Sequence, residues 1–195
     1  MNRKIMLLMA VIAAITIPSV AMAEVVVSTS ASVTTSSTAT SVVTITTAEN
    51  YPQANAAGYL TLATSTSGVS EIELNALASG GTIYMANVLE LLPTASGTVQ
   101  LSVNIPTGVT MVLSTTTQSI VATSSGFAIA DATGAVTGSI SSSGVLTGAL
   151  DIVGTGSAQS VSSFTVTAAT PVMVGFVLDS GIGAGTGAIG VGYTS

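Results

Sequence analysis

Short apolar or alternating runs, punctuated by Gly, Ser, Thr, Asn and Pro, recur along this chain, and no long stretch carries a helical period. The pattern predicts an all-β protein. Residues 25–33 alternate, with Val25, Val27, Thr29, Ala31 and Val33 on one face and Val26, Ser28, Ser30 and Ser32 on the other. Ser36-Ser37-Thr38 is read as an interruption, after which Ser41–Thr47, with Val43 and Ile45, forms the next strand. Gly58–Thr64 and Val69–Leu74 follow. The second of these has two readings: Ser70-x-x-Glu73 fits a helical capping box, whereas Ile72 and Leu74 alternating with Glu71 and Glu73 fit a strand slightly better.

Thr82–Leu91 and Thr98–Ile105, joined by Pro93-Thr94-Ala95-Ser96-Gly97, read as the clearest hairpin, because Val99, Leu101, Val103 and Ile105 alternate with polar residues. Phe127–Ala130 and Ala135–Ile140 flank the turn Asp131-Ala132-Thr133-Gly134, and Ser141–Gly144 turns into Val145–Val153. Val161–Ala168 and Val172–Leu178, around Ala169-Thr170-Pro171, read as a second hairpin. Gly181–Gly187 reads as a flexible crossover or a close subunit contact leading to a last strand at Ile189–Tyr193. About ten strands predict two packed sheets, a jelly-roll-like β-sandwich.

The first residues change the picture of where the chain works. Arg3 and Lys4 precede the apolar run Ile5–Ile17, then Pro18, then Ala21-Met22-Ala23 before Glu24. This is the layout of a Sec signal peptide over residues 1–23, cleaved before Glu24. A transmembrane anchor would need a longer run, and a type IV pilin leader would continue into a helix-forming segment. Cleavage leaves 195 − 23 = 172 residues, suited to one domain: a strand over 24–34 and a sandwich over 35–195. The expected location is secreted and extracellular, with no membrane partner in the mature form.

Composition then removes most chemistry. Arg3 and Lys4 are the only basic residues, and the chain has no His, Cys or Trp. Beyond the leader there is no imidazole, thiol, ammonium or guanidinium to act as base, nucleophile, phosphate clamp or soft metal ligand, so we expect no enzyme, no cofactor and no metal centre. Eight acids and a net charge of −6 argue against nucleic acid as a partner. Without Lys beyond the leader, isopeptide and sortase-type linkage are chemically closed in the mature chain. Glu71 and Glu73 are ordinary solvated acids more readily than a carboxylate pair, and Asp131 and Asp179 suit Asx turns. Gly181–Gly187 lacks the Lys and the following helix of a phosphate loop. Tyr51, Tyr59, Tyr84 and Tyr193 suit half-buried sheet positions better than a sugar platform.

The N-terminal strand has no turn signal after it and so no local partner. It either tucks into its own sheet or completes the sheet of a neighbour. Burying Val25, Val27 and Val33 at roughly 1.5–3 kcal/mol each, with backbone bonds at about 1 kcal/mol apiece, would hold subunits together without covalent bonds. A head-to-tail contact of this kind does not close and yields a filament.

The order of the elements is itself informative. Glu71–Leu74 leads to Leu77-Ala78-Ser79-Gly80-Gly81-Thr82, then to Val88-Leu89-Glu90-Leu91, to Thr94-Ala95-Ser96-Gly97, and to Thr98–Val103. This resembles the camelysin and TasA-like family, and in composition it is similar to archaeal bundling-pilus and surface-thread subunits. The resemblance implies a jelly-roll subunit that polymerises by donor-strand exchange into filaments supporting biofilm and cell-to-cell contact. Its partners would be copies of itself and the filaments of neighbouring cells, and Val25, Val27, Thr29, Ala31 and Val33 would form the donor face. Bacterial members carry many lysines, and here the chain departs from them. A monomeric adhesin or carbohydrate-binding β-sandwich and a surface-layer component are the alternatives.

Overall fold

A computed structural model describes residues 29–37, 42–64, 70–76, 81–180, 182 and 185–194. Along the chain run β1 (Thr29–Ser37), β2 (Val43–Thr47), α1 (Tyr51–Ala56), β3 (Leu60–Thr64), β4 (Ser70–Ala76) and β5 (Ile83–Pro93). Then come β6 (Gly97–Asn104), β7 (Val109–Ser114), β8 (Ser119–Thr123), β9 (Gly126–Ala130), β10 (Ser139–Ile140) and β11 (Leu146–Thr147). The last are β12 (Leu150–Val153), β13 (Ala158–Ser160), β14 (Phe164–Val166), β15 (Val172–Leu178) and β16 (Gly185–Thr194). The protein is mostly β, as its alternation predicts, with one short helix among the described residues. That helix is six residues long with Pro52 in its first turn, too short to leave a period in the sequence.

A seven-stranded sheet has the order β13-β6-β16-β1-β4-β3, with β14 also on β6, and a five-stranded sheet has the order β12-β7-β15-β5-β2. Two small ribbons, β8-β9 and β10-β11, complete the pairing. One apolar cluster joins Ile72, Leu101 and Ile189 of the larger sheet to Leu89, Met111 and Phe176 of the smaller. A second cluster, Ala86, Val112, Ile129 and Ala149, covers the outer face of the smaller sheet. Met85–Leu89 of β5 are therefore buried in succession, whereas β6 keeps Val99, Leu101 and Val103 inside and Gln100 and Ser102 outside.

Both predicted hairpins are corrected. β5 and β6 lie in different sheets, and so do β14 and β15. Each link carries the chain from one sheet to the other: Thr94 N–H donates to the Val42 carbonyl and Ala169 N–H to the Pro93 carbonyl, and Ala169 turns the second corner at φ +58°. Short links rich in Pro, Thr and Ser serve a sheet-to-sheet corner as well as a hairpin. Long-range pairing decides between them: β5 pairs with β2 and β15, and β6 with β16, β13 and β14. Ser70–Ala76 resolves as a strand. Phe127–Ala130 pairs back onto β8 rather than onward to Ala135–Ile140, of which only Ser139 and Ile140 pair, with β11.

Candidate functional site

The N-terminal strand occupies a central position in the larger sheet. β1 pairs antiparallel with β4, setting Ala31 opposite Leu74 and Val33 opposite Ile72. It pairs parallel with β16, setting Ala31 opposite Gly185, Val33 opposite Gly187 and Thr35 opposite Ile189. This is the one parallel pairing among the described strands; the rest are antiparallel. The next strand along the chain, β2, lies in the other sheet, and both partners of β1 are remote in sequence, which is why no hairpin signal follows the strand.

Taking β1 away would split the sheet into β3-β4 and the β16-β6 group. The walls of that slot are apolar: Ile72 and Leu74 on β4 are fully buried, and Ile189 and Val191 on β16 are buried. Strand alternation puts Gly185 and Gly187 on the same face as Ile189 and Val191, so the walls narrow to bare backbone where Ala31 and Val33 pair. Beneath lies an enclosed apolar cavity of about 10 Å³, bounded by Ile72 and Ile189 on one side and Leu89, Met111 and Val174 on the other. Without polar partners it holds no water.

Of the residues assigned to the donor face, Thr29, Ala31 and Val33 lie in β1, and Val25 and Val27 lie outside the described residues. The strand runs on through Ser36 and Ser37, where the sequence suggested a break. β-Branched and hydroxyl side chains read as a linker in isolation, yet they continue a strand when both neighbours are present. The glycine-rich segment is also partly strand, since β16 begins at Gly185 rather than Ile189. In this single chain β1 fills its own slot. The positions on β4 and β16 that flank β1 escaped the sequence reading because they are defined only by long-range pairing.

The other candidates stay apart. Among the described residues no three of Asp, Glu, His or Cys gather in a metal-binding group. Glu73 is exposed. Asp131 closes an Asx turn: its Oδ1 accepts from Thr133 N–H at 2.9 Å, Thr133 Oγ1 at 2.7 Å and Ala135 N–H at 2.9 Å. The Thr133 hydroxyl, followed by the Ala135 amide, holds its carboxyl below the usual range. Asp151, in the wall of a groove beside β12, has its carboxyl raised by burial. All four tyrosines are half-buried. No helix among the described residues is long and apolar enough to cross a membrane. No family model, curated protein or solved structure matches the chain.

Proposed function

We propose that this chain is a secreted, non-enzymatic filament subunit of jelly-roll type that polymerises by placing its N-terminal strand in the slot between β4 and β16 of the next copy. The supporting observation is the position of β1: a central strand, supplied by one end of the chain, whose two partners are remote in sequence. Successive strands also alternate between the two sheets, β4, β5, β6 and β7 in turn, as a jelly roll requires. An empty slot would leave the edges of β4 and β16 unpaired and uncover the flanks of Ile72, Leu74, Ile189 and Val191. A partner strand must therefore always be present, the subunit's own or a neighbour's. Exchange between copies keeps every pairing of the closed chain and needs new geometry only in residues 38–42, Thr-Ala-Thr-Ser-Val, which contain no proline. Val25 and Val27 would extend the donor face beyond β1, and the filaments would serve cell-to-cell contact and biofilm.

A second reading, a monomeric exported β-sandwich, draws on the same pairing made within one chain. The absence of native cysteine allows a direct test. Thr34 pairs with Glu71, so Thr34→Cys/Glu71→Cys, oxidised in fibrous material collected from cells, reports which chain supplies the strand. A ladder of covalent oligomers on a non-reducing gel is the expected result. Fibres that yield only internally linked monomers would overturn strand donation, and a protein that never pellets as fibres would favour the second reading.

A further inference from the structure

A cleft of about 280 Å³ opens between α1, the start of β5 and β8. Its lining is largely apolar, with Ala54, Val88 and Ile120 among the residues that border it. It runs along the edge of β5 rather than over one face, because Ile83, Tyr84, Met85 and Ala86 line it in succession. That edge has no strand on it. On one side β5 lies against β15 from Ile83 onward, but on the other β2 pairs with it only from Leu89 to Pro93. Upstream of Leu89 the chain from β2 turns off into α1: Ala48 N–H donates to the Val88 carbonyl and Asn50 Nδ2 to that of Ala86. Among the described residues no strand stands beside Ile83–Met85 on the cleft side.

Residues 24–28, between the expected leader and β1, present the complementary need. The pairing of β1 with β4 begins at Thr29, opposite Ala76, and its pairing with β16 begins only at Ala31. The described sheet therefore offers no flanking strand to Val25, Val26 and Val27. The start of β1 also lies at the same end of the sandwich as the cleft. Ser30 pairs with Asn75, and Asn75 N–H donates to the carbonyl of Tyr59, which lines the cleft. Two strand spacings, about 10 Å, separate Ser30 from Tyr59, and an extended run over 24–28 spans about 16 Å. The reach is sufficient.

We infer that this cleft seats Val25–Val27, the segment leading into β1, as a short extended run against the open edge of β5. The side-chain pattern selects this occupant. Met85 and Ala86, which point to opposite faces of β5, are both buried, so a segment laid beside them needs apolar side chains on both of its own faces. Three consecutive valines supply that. None of the internal stretches outside the described residues, 38–41, 65–69, 77–80, 181 and 183–184, has three apolar residues in a row. The seat requires only that β1 lies between β4 and β16, so it holds whether the strand comes from the same chain or, as proposed above, from a neighbour.

The chain has no cysteine, so one introduced thiol reports its own exposure. In the exported chain Val26→Cys is expected to react with a maleimide about tenfold more slowly than Ser125→Cys, on the exposed turn between β8 and β9. Ala57→Gln and Ile120→Asn, each at an exposed position of the cleft, are expected to speed the Val26→Cys reaction about fivefold. Val153→Asn, exposed on β12 at the far edge of the same sheet, is expected to leave it unchanged. Circular dichroism checks that each variant is folded. A Val26→Cys thiol as reactive as that of Ser125→Cys would overturn the inference. So would protection that neither cleft substitution relieves, which would put the valines under another face or another partner. Dispersing fibres keeps this result distinct from strand donation: protection that survives in monomers assigns the segment to its own cleft, protection lost with the fibres assigns it to a neighbour's, and the cleft substitutions must act in either case.

Discussion

Between Met85 and Leu89, β5 leaves its ladder with β15: Met85 pairs with Phe176 and Leu89 with Val174, so three residues oppose Gly175 alone. The slack is taken up by two buried amides, each 4 % exposed. Gln118 Oε1 accepts from Asn87 N–H at 3.0 Å, and its Nε2 donates to the carbonyls of Val112 at 3.0 Å and Met173 at 3.3 Å. Asn87, held at φ +51°, returns the arrangement: Nδ2 donates to the Gln118 carbonyl at 2.8 Å and Oδ1 accepts from Gln118 N–H at 2.7 Å. Gln118→Ala strands one buried N–H, at about 1–3 kcal/mol, and removes a donor from two carbonyls, at about 1 kcal/mol each. The expected loss of stability is thus about 3–5 kcal/mol, read from urea unfolding followed by circular dichroism. Asn87→Gly tolerates the positive φ while deleting the return bonds, so Asn87→Gly with Gln118→Ala should cost less than the sum of the two. Gln118→Glu adds a sign. Protonated, its O–H can donate to a carbonyl; ionised, it cannot. Its folded pKa is therefore raised above about 4.3, so the penalty is small below that pH and grows as pH rises toward the folded value. A Gln118→Ala protein within about 0.5 kcal/mol of the parent would refute the claim that these amides hold the bulge.

Ile72→Ala, in the wall of the slot and fully buried, should lower stability by about 2–5 kcal/mol in the same unfolding assay; a loss no larger than that of an exposed site would show that the slot is not part of the core. Thr133→Ala should bring the Asp131 carboxyl part of the way back up toward 3.8, followed by carbon-13 NMR titration; because that group is depressed in the folded chain, its stabilisation is present above 3.8 and is lost as pH falls through the folded value, a loss that should be smaller in the variant, which keeps the Ala135 and Thr133 amide bonds. Asp151, raised by burial, works the other way: ionisation opposes folding as pH rises above 3.8, so Asp151→Asn should gain stability over the parent at pH 7 relative to pH 3, and equal differences at both would contradict the shift.

The alternation of β6, the strand over Val43–Thr47 and the Asx turn at Asp131 were all legible in the sequence, because each is set by residues close together. Which strands pair was not. Pro93–Gly97 and Ala169–Pro171 carry turn chemistry that a hairpin and a crossover share, and the choice rests on partners far along the chain, β15 and β2 for β5 and β16 for β6. The same holds for the site. Thr29, Ala31 and Val33 declare a strand by their own spacing, whereas Ile72, Gly187 and Ile189 become a slot only once β4 and β16 stand on either side of β1. Asn87 and Gln118 gave no signal at all, since a single amide in a β-rich run reads as a surface residue.

The pairing of β1 with β16 joins the first and last described strands, so the slot cannot exist before the C-terminal strand is in place. On the proposed mechanism two donors would then compete. The chain's own β1, tethered through residues 38–42, acts at an effective concentration of ~mM, far above that of a dilute neighbour. Both products contain the same hydrogen bonds and bury the same walls, so equilibrium between them turns on the tether and on subunit concentration, while interconversion requires withdrawing a strand held on both edges. On the proposed strand donation a closed monomer would be a kinetic trap, and filaments would grow where an open slot meets a neighbour's strand first. Refolding from urea at high subunit concentration should yield fibres, whereas closed monomers brought to the same concentration without unfolding should remain monomeric for far longer. Equal rates of fibre growth from the two preparations, followed by light scattering, would show that the slot is not locked by its own strand.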